Sequence, residues 1–250
     1  MGNNSSGFKN ENSIIEYIDK KKIKDLNENM KKFILYIFNI KNEDAIIQAT
    51  SGEKGEKTDI IIKINDEIKR VSVKIGSGNS VHQENIDVFV EFLKSINIPE
   101  NIIYELLKYH WGDGTSDGTG TERISGPEYK RKFPEEIKTI NTELNKKENL
   151  KLFINRFIIQ GKSSDYHSID VLYYGNINEG HWAKKEEIME YIVNNIFKMK
   201  SIHFGPVTYQ IWNRCLNFNK NTENRRRVMQ IKWASLYKDL LVIERNRKNE

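Results

Sequence analysis

The segment Thr58-Asp-Ile-Ile-Ile-Lys-Ile-Asn-Asp-Glu-Ile-Lys-Arg-Val-Ser-Val-Lys74 decides the fold. Ile60, Ile62 and Ile64 recur at every second position, Ile68, Val71 and Val73 follow, and Asn65-Asp66 stands between the two runs as a turn. With two central residues in that turn, Ile64 faces Glu67 and Asp59 lies opposite Ser72. Opposed residues point to one side of a sheet, as does every second residue along a strand. Asp59, Ser72 and Lys74 then share one face, while Ile60, Ile62, Val71 and Val73 enter a core from the other. A core-forming hairpin has no structural need of that polar trio. The competing explanation is a solvated strand face on which Asp59, Arg70, Ser72 and Lys74 serve solubility.

The chain has 250 residues, enough to bury a proper core as one elaborated domain or two small ones. Its 40 basic and 35 acidic side chains leave a formal charge of +5, which leans toward an anionic partner. The single Cys215 excludes a disulfide framework and a cysteine-built zinc site, and it suits a reducing, cytoplasmic location. No apolar run approaches bilayer length, so no membrane partner is expected. Met1-Gly-Asn-Asn-Ser-Ser lacks the apolar core of a signal peptide. Met1-Gly2 with Ser6 matches a loose myristoylation pattern, a chance-level match that is set aside.

Working outward from the hairpin, residues 1–12 are polar and read as frayed, and 13–38 carry apolar residues at helical spacing, read as two helices. Gln48–Lys57 reads as a polar, glycine-bearing loop. Gly76-Ser-Gly-Asn-Ser80 breaks the strand after Lys74, and Ser80 with Gln83 or Glu84 reads as the capped start of a helix holding Ile86, Phe89, Val90 and Leu93. A helix over about 100–110 leads into His110-Trp-Gly-Asp-Gly-Thr-Ser-Asp-Gly-Thr-Gly-Thr-Glu-Arg123, the most flexible composition in the chain, read as a mobile loop or a disordered turn. Residues 134–160 and 184–197 read as helical, and 169–174 and 228–233 as strands. The expected class is α/β (α+β): a central mixed β-sheet flanked by helices in a single domain, 1–250. Its parts are a helical portion at 13–45, the hairpin with its helix at 46–95, and recognition or dimerisation elements at 96–250.

Asp59 opening one strand, a hairpin, then Ser72-Val73-Lys74 and a helix resemble the core of the PD-(D/E)xK nucleases, in the variant where serine replaces the second acid, as in some type II restriction endonucleases. The resemblance covers about residues 45–95. It implies a restriction-endonuclease-like core, with the displaced acid on the helix after the lysine strand. Its usual place falls near Val88, which cannot bind metal. Glu84, Asp87 and Glu91 surround that place, and Glu84 is favoured because it lies nearest the strand end. By this resemblance Asp59, Glu84 and the Val73 carbonyl hold Mg²⁺, which Mn²⁺ can replace. Lys74 activates water and Ser72 supports it. The chemistry suits these residues: carboxylates hold a hard cation, the cation polarises a phosphate and acidifies a bound water, and lysine offsets transition-state charge.

The implied activity is Mg²⁺-dependent hydrolysis of phosphodiester bonds in double-stranded DNA by a sequence-specific homodimer. The rivals are a catalytically silent DNA-binding module of the same fold and a partner-binding protein without a nucleic-acid role. Asn79, His82, Arg123, Arg226 and Lys232 are the expected DNA contacts, the last two lying by Arg225-Arg-Arg227 and Trp233. Glu28 on the preceding helix reads as a solvated glutamate, though a further acid sometimes stands there in such nucleases. Asp170 with Gln230-Ile-Lys232 forms a second, lower-ranked acid and polar-x-lysine set. Gly52-Glu-Lys-Gly-Glu-Lys-Thr58 is not a phosphate-binding loop, because glycine and lysine are not adjacent and a strand follows.

Overall fold

The computed structural model describes residues 5–77 and 79–248; the myristoylation pattern at Met1-Gly2 and the strand-breaking Gly78 lie outside them. The chain is mixed α+β and divides into two compact units, neither continuous in sequence. The first comprises residues up to Asn79, Asn155–Tyr191 and those from Ser235 on; the second comprises Ser80–Ile154 and Ile192–Ala234.

The first unit is built on a mixed five-stranded sheet. Its strands β1 (Gln48–Ser51), β2 (Ile60–Ile64), β3 (Glu67–Lys74), β5 (Val171–Gly175) and β6 (Gly180–Lys184) lie side by side in that order. The β2–β3 register pairs Ile64 with Glu67 and Ile60 with Val71, as a two-residue turn requires, and Asn65 supports the turn with a φ of 53°. Asparagine tolerates the left-handed region better than most side chains. β5 runs parallel to β3, pairing Val71 with Val171 and Lys74 with Tyr174, whereas every other pairing in this sheet is antiparallel.

Helices α1 (Ser5–Ile18) and α2 (Glu28–Phe38) pack Ile14, Ile18, Met30, Phe33 and Ile37 onto Ile60, Ile62, Val71, Val73 and Tyr173. The i, i+3, i+4, i+7 spacing of the apolar residues makes those faces continuous, and Asn27 caps α2 by accepting from the Met30 amide at 2.9 Å. Residues 5–12, expected to fray, form the first turns of α1. Gln48–Ser51, expected in a loop, is the edge strand β1. Helix α9 (Leu236–Arg247) packs on β6.

The second unit holds an antiparallel four-stranded sheet. Its strand order is β4 (Ser80–Asn85), β9 (Val228–Lys232), β8 (Val207–Ile211) and β7 (His203–Phe204). Its helices include α3 (Ile86–Ser95), α4 (Glu100–Trp111), α5 (Gly126–Lys132), α6 (Pro134–Leu144) and α7 (Lys147–Ile154). Helix α8 (Lys185–Asn194) follows β6. The expected capped helix start at Ser80 is corrected: the chain is extended through Asn85, pairing Glu84 with Met229, and α3 begins only at Ile86. A bulge between Ser80 and His82 disturbs the two-residue burial rhythm that would have marked a strand.

The glycine-rich loop after α4 is also corrected, from mobile to tightly held. Arg226 bonds Asp113 Oδ2 at 2.8 Å with both side chains buried, and Gly118 presses against Trp111, where an added Cβ would lie 2.6 Å from the ring. Thr115 and Thr119 donate to Asp113 and Asp117 in successive tight turns.

Candidate functional site

Asp59, Ser72 and Lys74 come together at one edge of the first sheet. The Asp59 amide donates to Val71 O at 2.9 Å, continuing the hairpin register by one residue and setting Asp59 across from Ser72. Three donors then converge on one carboxylate oxygen. Asp59 Oδ2 accepts from Ser72 Oγ at 3.1 Å, from the Val73 amide at 2.6 Å and from Lys74 Nζ at 3.1 Å. Among the described residues no hydrogen bond reaches Asp59 Oδ1. The Lys74 ammonium also donates to Ser72 Oγ at 3.0 Å and to Val73 O at 2.8 Å. A compact cation thus sits between a carboxylate, a hydroxyl and a backbone carbonyl, all hard oxygen donors.

Sequence reasoning missed the second acid of this edge, Glu11 on α1. Asn10 Nδ2 donates to Gly175 O at 2.8 Å, anchoring α1 at the end of β5, one residue beyond the register partner of Lys74. Burial pushes the Glu11 carboxyl above its usual value of 4.5, the negative charge of Asp59 pushes it further, and Lys74 partly offsets both. Two carboxylates that repel through the protein mark a place where a cation relieves both. The only sequence signal was the helical spacing of Ile14, Ile15 and Ile18, which extends back to Glu11 if the polar leader is helical. Glu28, the helical acid singled out from the sequence, forms a 3.9 Å pair with Lys31 instead.

The three acids weighed for the metal each have a partner of their own. Glu84 lies on β4 in the second unit, where its buried carboxylate pairs with His82 Nε2 at 3.0 Å. Asp87 makes a 2.8 Å surface pair with Arg227, and Glu91 a 2.9 Å pair with Lys94.

Several expected DNA contacts have partners within the protein. His82 is buried against Glu84, Asn79 is buried at the end of the first segment, and Arg226 is the buried partner of Asp113. Arg123 bonds both oxygens of Glu223 at 2.8 and 2.7 Å and stacks its guanidinium 4.2 Å from the Phe218 ring centre. Lys232 is half-buried on β9, and Arg225 lies over the exposed Trp212. Asp170 accepts from the Arg70 amide at 2.8 Å and so clamps β5 to β3, while Gln230 and Lys232 belong to the other sheet.

Among the described residues, no group of three or more His, Cys, Asp or Glu gathers as a metal cage. Mg²⁺ does not need one. It commonly takes one or two carboxylates and keeps water or substrate oxygens for its remaining positions. Asp59, Glu11 and the Val73 carbonyl offer oxygens of that kind within one unit.

No protein-family model matches the sequence, and no curated protein is significantly similar to it. None of the helices among the described residues is long and apolar enough to cross a membrane.

Proposed function

We propose that this chain is a divalent-metal-dependent endonuclease with a restriction-endonuclease-like core, hydrolysing phosphodiester bonds in double-stranded DNA as a homodimer. One observation carries the reading: a lysine ammonium shared between Asp59 Oδ2 and Val73 O, at 3.1 and 2.8 Å, beside a second acid of raised pKa. A solvated strand face would not bury Ser72 or converge three donors on one oxygen.

Asp59, Glu11 and the Val73 carbonyl would hold the ion, Mg²⁺ or Mn²⁺. Bound there, it supplies Lewis acidity toward a phosphate oxygen and lowers the pKa of a coordinated water. The Val73 amide and Ser72 hold Asp59 in one rotamer, so its free oxygen keeps one direction. Lys74 orients the attacking water and offsets the charge that builds on the phosphate oxygens. Serine at position 72 adds a hydrogen bond without a charge, which leaves Glu11 as the second carboxylate.

The second reading is a catalytically silent DNA-binding module, favoured by the neutral side chain at Ser72 and by the lack of a three-acid cluster among the described residues. Supercoiled plasmid incubated with purified protein and Mg²⁺ or Mn²⁺ separates the two. Nicking that disappears in Lys74→Ala and Asp59→Ala supports the nuclease. Saturable DNA binding without nicking under either metal supports the silent module.

A further inference from the structure

The second unit contains a cavity of about 1050 Å³ that the cleavage chemistry does not use. Its walls are apolar, formed by Pro134 and Ile137 of α6 and by Phe197 and Met199 of the segment after α8. Its rim is cationic: Lys130, Arg131, Lys138, Lys198 and Lys200 line it, and no Asp or Glu does. Lys130 donates to Ser201 Oγ at 3.1 Å, and Lys138 has only a loose, exposed 3.7 Å pair with Glu135. Arg131 acts on the Glu128 carboxyl of α5, whereas among the described residues Lys198 and Lys200 make no ion pair. Five cations on one rim, offset only by Glu135 and Glu128 outside the lining, repel one another, and a bound anion relieves that repulsion.

The wall also holds a largely buried histidine, one ring nitrogen of which has no hydrogen-bond partner among the described residues. His203 on β7 is 5% exposed, and its Nδ1 lies 2.9 Å from Gly205 O. A carbonyl oxygen only accepts, so Nδ1 carries the proton and Nε2 presents a lone pair. Burial pulls the His203 pKa down, which keeps the ring neutral. The neighbouring amides are used internally: Asn141 binds Ser201 O and the His203 amide, and Asn145 binds His203 O and the Gly205 amide. No described residue bonds Nε2, and His203 lines the cavity.

We propose that this cavity binds a phosphorylated nucleoside, with the base between the apolar walls donating an N–H to His203 Nε2 and the phosphate among the rim cations. The three features match the three parts of such a ligand: a flat ring with exocyclic or ring N–H donors, an apolar face and an anion. A fatty-acid anion has no donor for His203, a sugar phosphate has no flat apolar ring for the walls, and an inorganic anion has no use for them. The ligand is either a nucleotide of a nucleic-acid strand or a free nucleotide. The inference stands apart from the cleavage reading, since every residue it uses lies in the second unit and binding is measured without metal.

The test uses the full chain and fluorescence anisotropy of a short fluorescein-labelled single-stranded oligonucleotide at low salt, with AMP and ATP as competitors. The charge-reversal variant Lys138→Glu/Lys198→Glu, whose side chains are exposed and tolerate change, is expected to lower affinity at least about tenfold and to flatten the salt dependence. His203→Phe, which keeps a ring and removes the acceptor, is expected to weaken binding several-fold, and His203→Gln to restore part of it. Competition by AMP or ATP identifies a free nucleotide; binding of the oligonucleotide alone identifies a strand. Wild-type protein that binds neither, or charge reversal that leaves the affinity unchanged, overturns the proposal. Plasmid nicking tells separately whether the nuclease reading holds, so either result can fail while the other stands.

Discussion

Lys74 is held by three oxygen acceptors, which makes its loss chemically specific. Removing the ammonium leaves Asp59 Oδ2 with the Ser72 and Val73 donors, so the hairpin keeps its register. We expect Lys74→Ala to lower metal-dependent cleavage by about 10²–10⁴-fold, the usual worth of a positioned proton-transfer group, with circular dichroism unchanged. Cutting at the wild-type rate would refute the assignment. Glu11 gives a prediction of opposite sign for stability and activity. A carboxyl whose folded pKa is raised binds its proton more tightly in the folded chain. The metal-free fold therefore loses stability as pH rises past the ordinary value of 4.5 and through the raised one. Glu11→Gln removes that loss. The variant should melt higher than wild type at neutral pH without metal, while needing more Mg²⁺ for half-maximal cleavage. A lower melting temperature, or an unchanged Mg²⁺ requirement, would remove Glu11 from the ion's donor set.

At the scale of elements, the loop after α4 and the 3-10 turn Lys220–Arg227 that leads into β9 depend on buried charge. Asp113 and Arg226 are paired at 2.8 Å out of solvent, and Arg226 also lies 5.2 Å over Trp111. Breaking one member of such a pair strands the other, at a cost of about 3–5 kcal/mol. Arg226→Met should therefore destabilise by that order in urea melts, and Asp113→Asn/Arg226→Met by less than the sum of the single changes. Additive losses would show the two charges to be uncoupled. Close by, His110 bonds Tyr209 Oη and Arg226 O, both at 2.6 Å, and burial holds its pKa down at about 3. Unfolded chains take up the proton near pH 6.5 and the folded chain does not, so stability falls as pH drops from about 6.5 toward 3, about tenfold in the folding equilibrium per pH unit. A pH-melting series in which His110→Gln keeps the same acid slope as wild type would rule His110 out as the cause. These elements also mark where sequence reading succeeds. The β2–β3 hairpin was legible because its alternation and its turn are local, and they set Asp59 across from Ser72 without reference to the rest of the chain. β4 was not legible, because Ser80 with Gln83 and Glu84 mimics a helix cap and the bulge hides its alternation. Arg123 and Arg226 looked like DNA contacts, since a sequence cannot show that Glu223 and Asp113 wait for them about 100 residues away.

At the scale of the molecule, the two strands that meet at the site are distant in sequence. β3 pairs with β5 at Val71 and Val171, and most of the second unit is inserted between them. Such a pairing closes only after a long excursion, whose loop-closure entropy opposes it, and Asp170 secures it by accepting from the Arg70 amide at 2.8 Å. The hairpin builds one Asp59–Ser72–Lys74 cluster per chain among the described residues, whereas duplex DNA, the substrate of the proposed reading, offers two scissile strands of opposite polarity. A two-fold axis relates those strands, and a two-fold dimer places one cluster on each. If the nuclease reading holds, the complex with duplex DNA should exceed the mass of the duplex by about twice the 29.4 kDa chain mass. Supercoiled plasmid should then pass to linear product with little nicked circle accumulating. Mixing wild type with excess Lys74→Ala should reverse that pattern, because a mixed dimer cuts one strand and leaves its complement intact. Linear product from such mixtures without a rise in nicked circles would mean that a single chain cuts both strands in turn, and the symmetric arrangement would have to be abandoned.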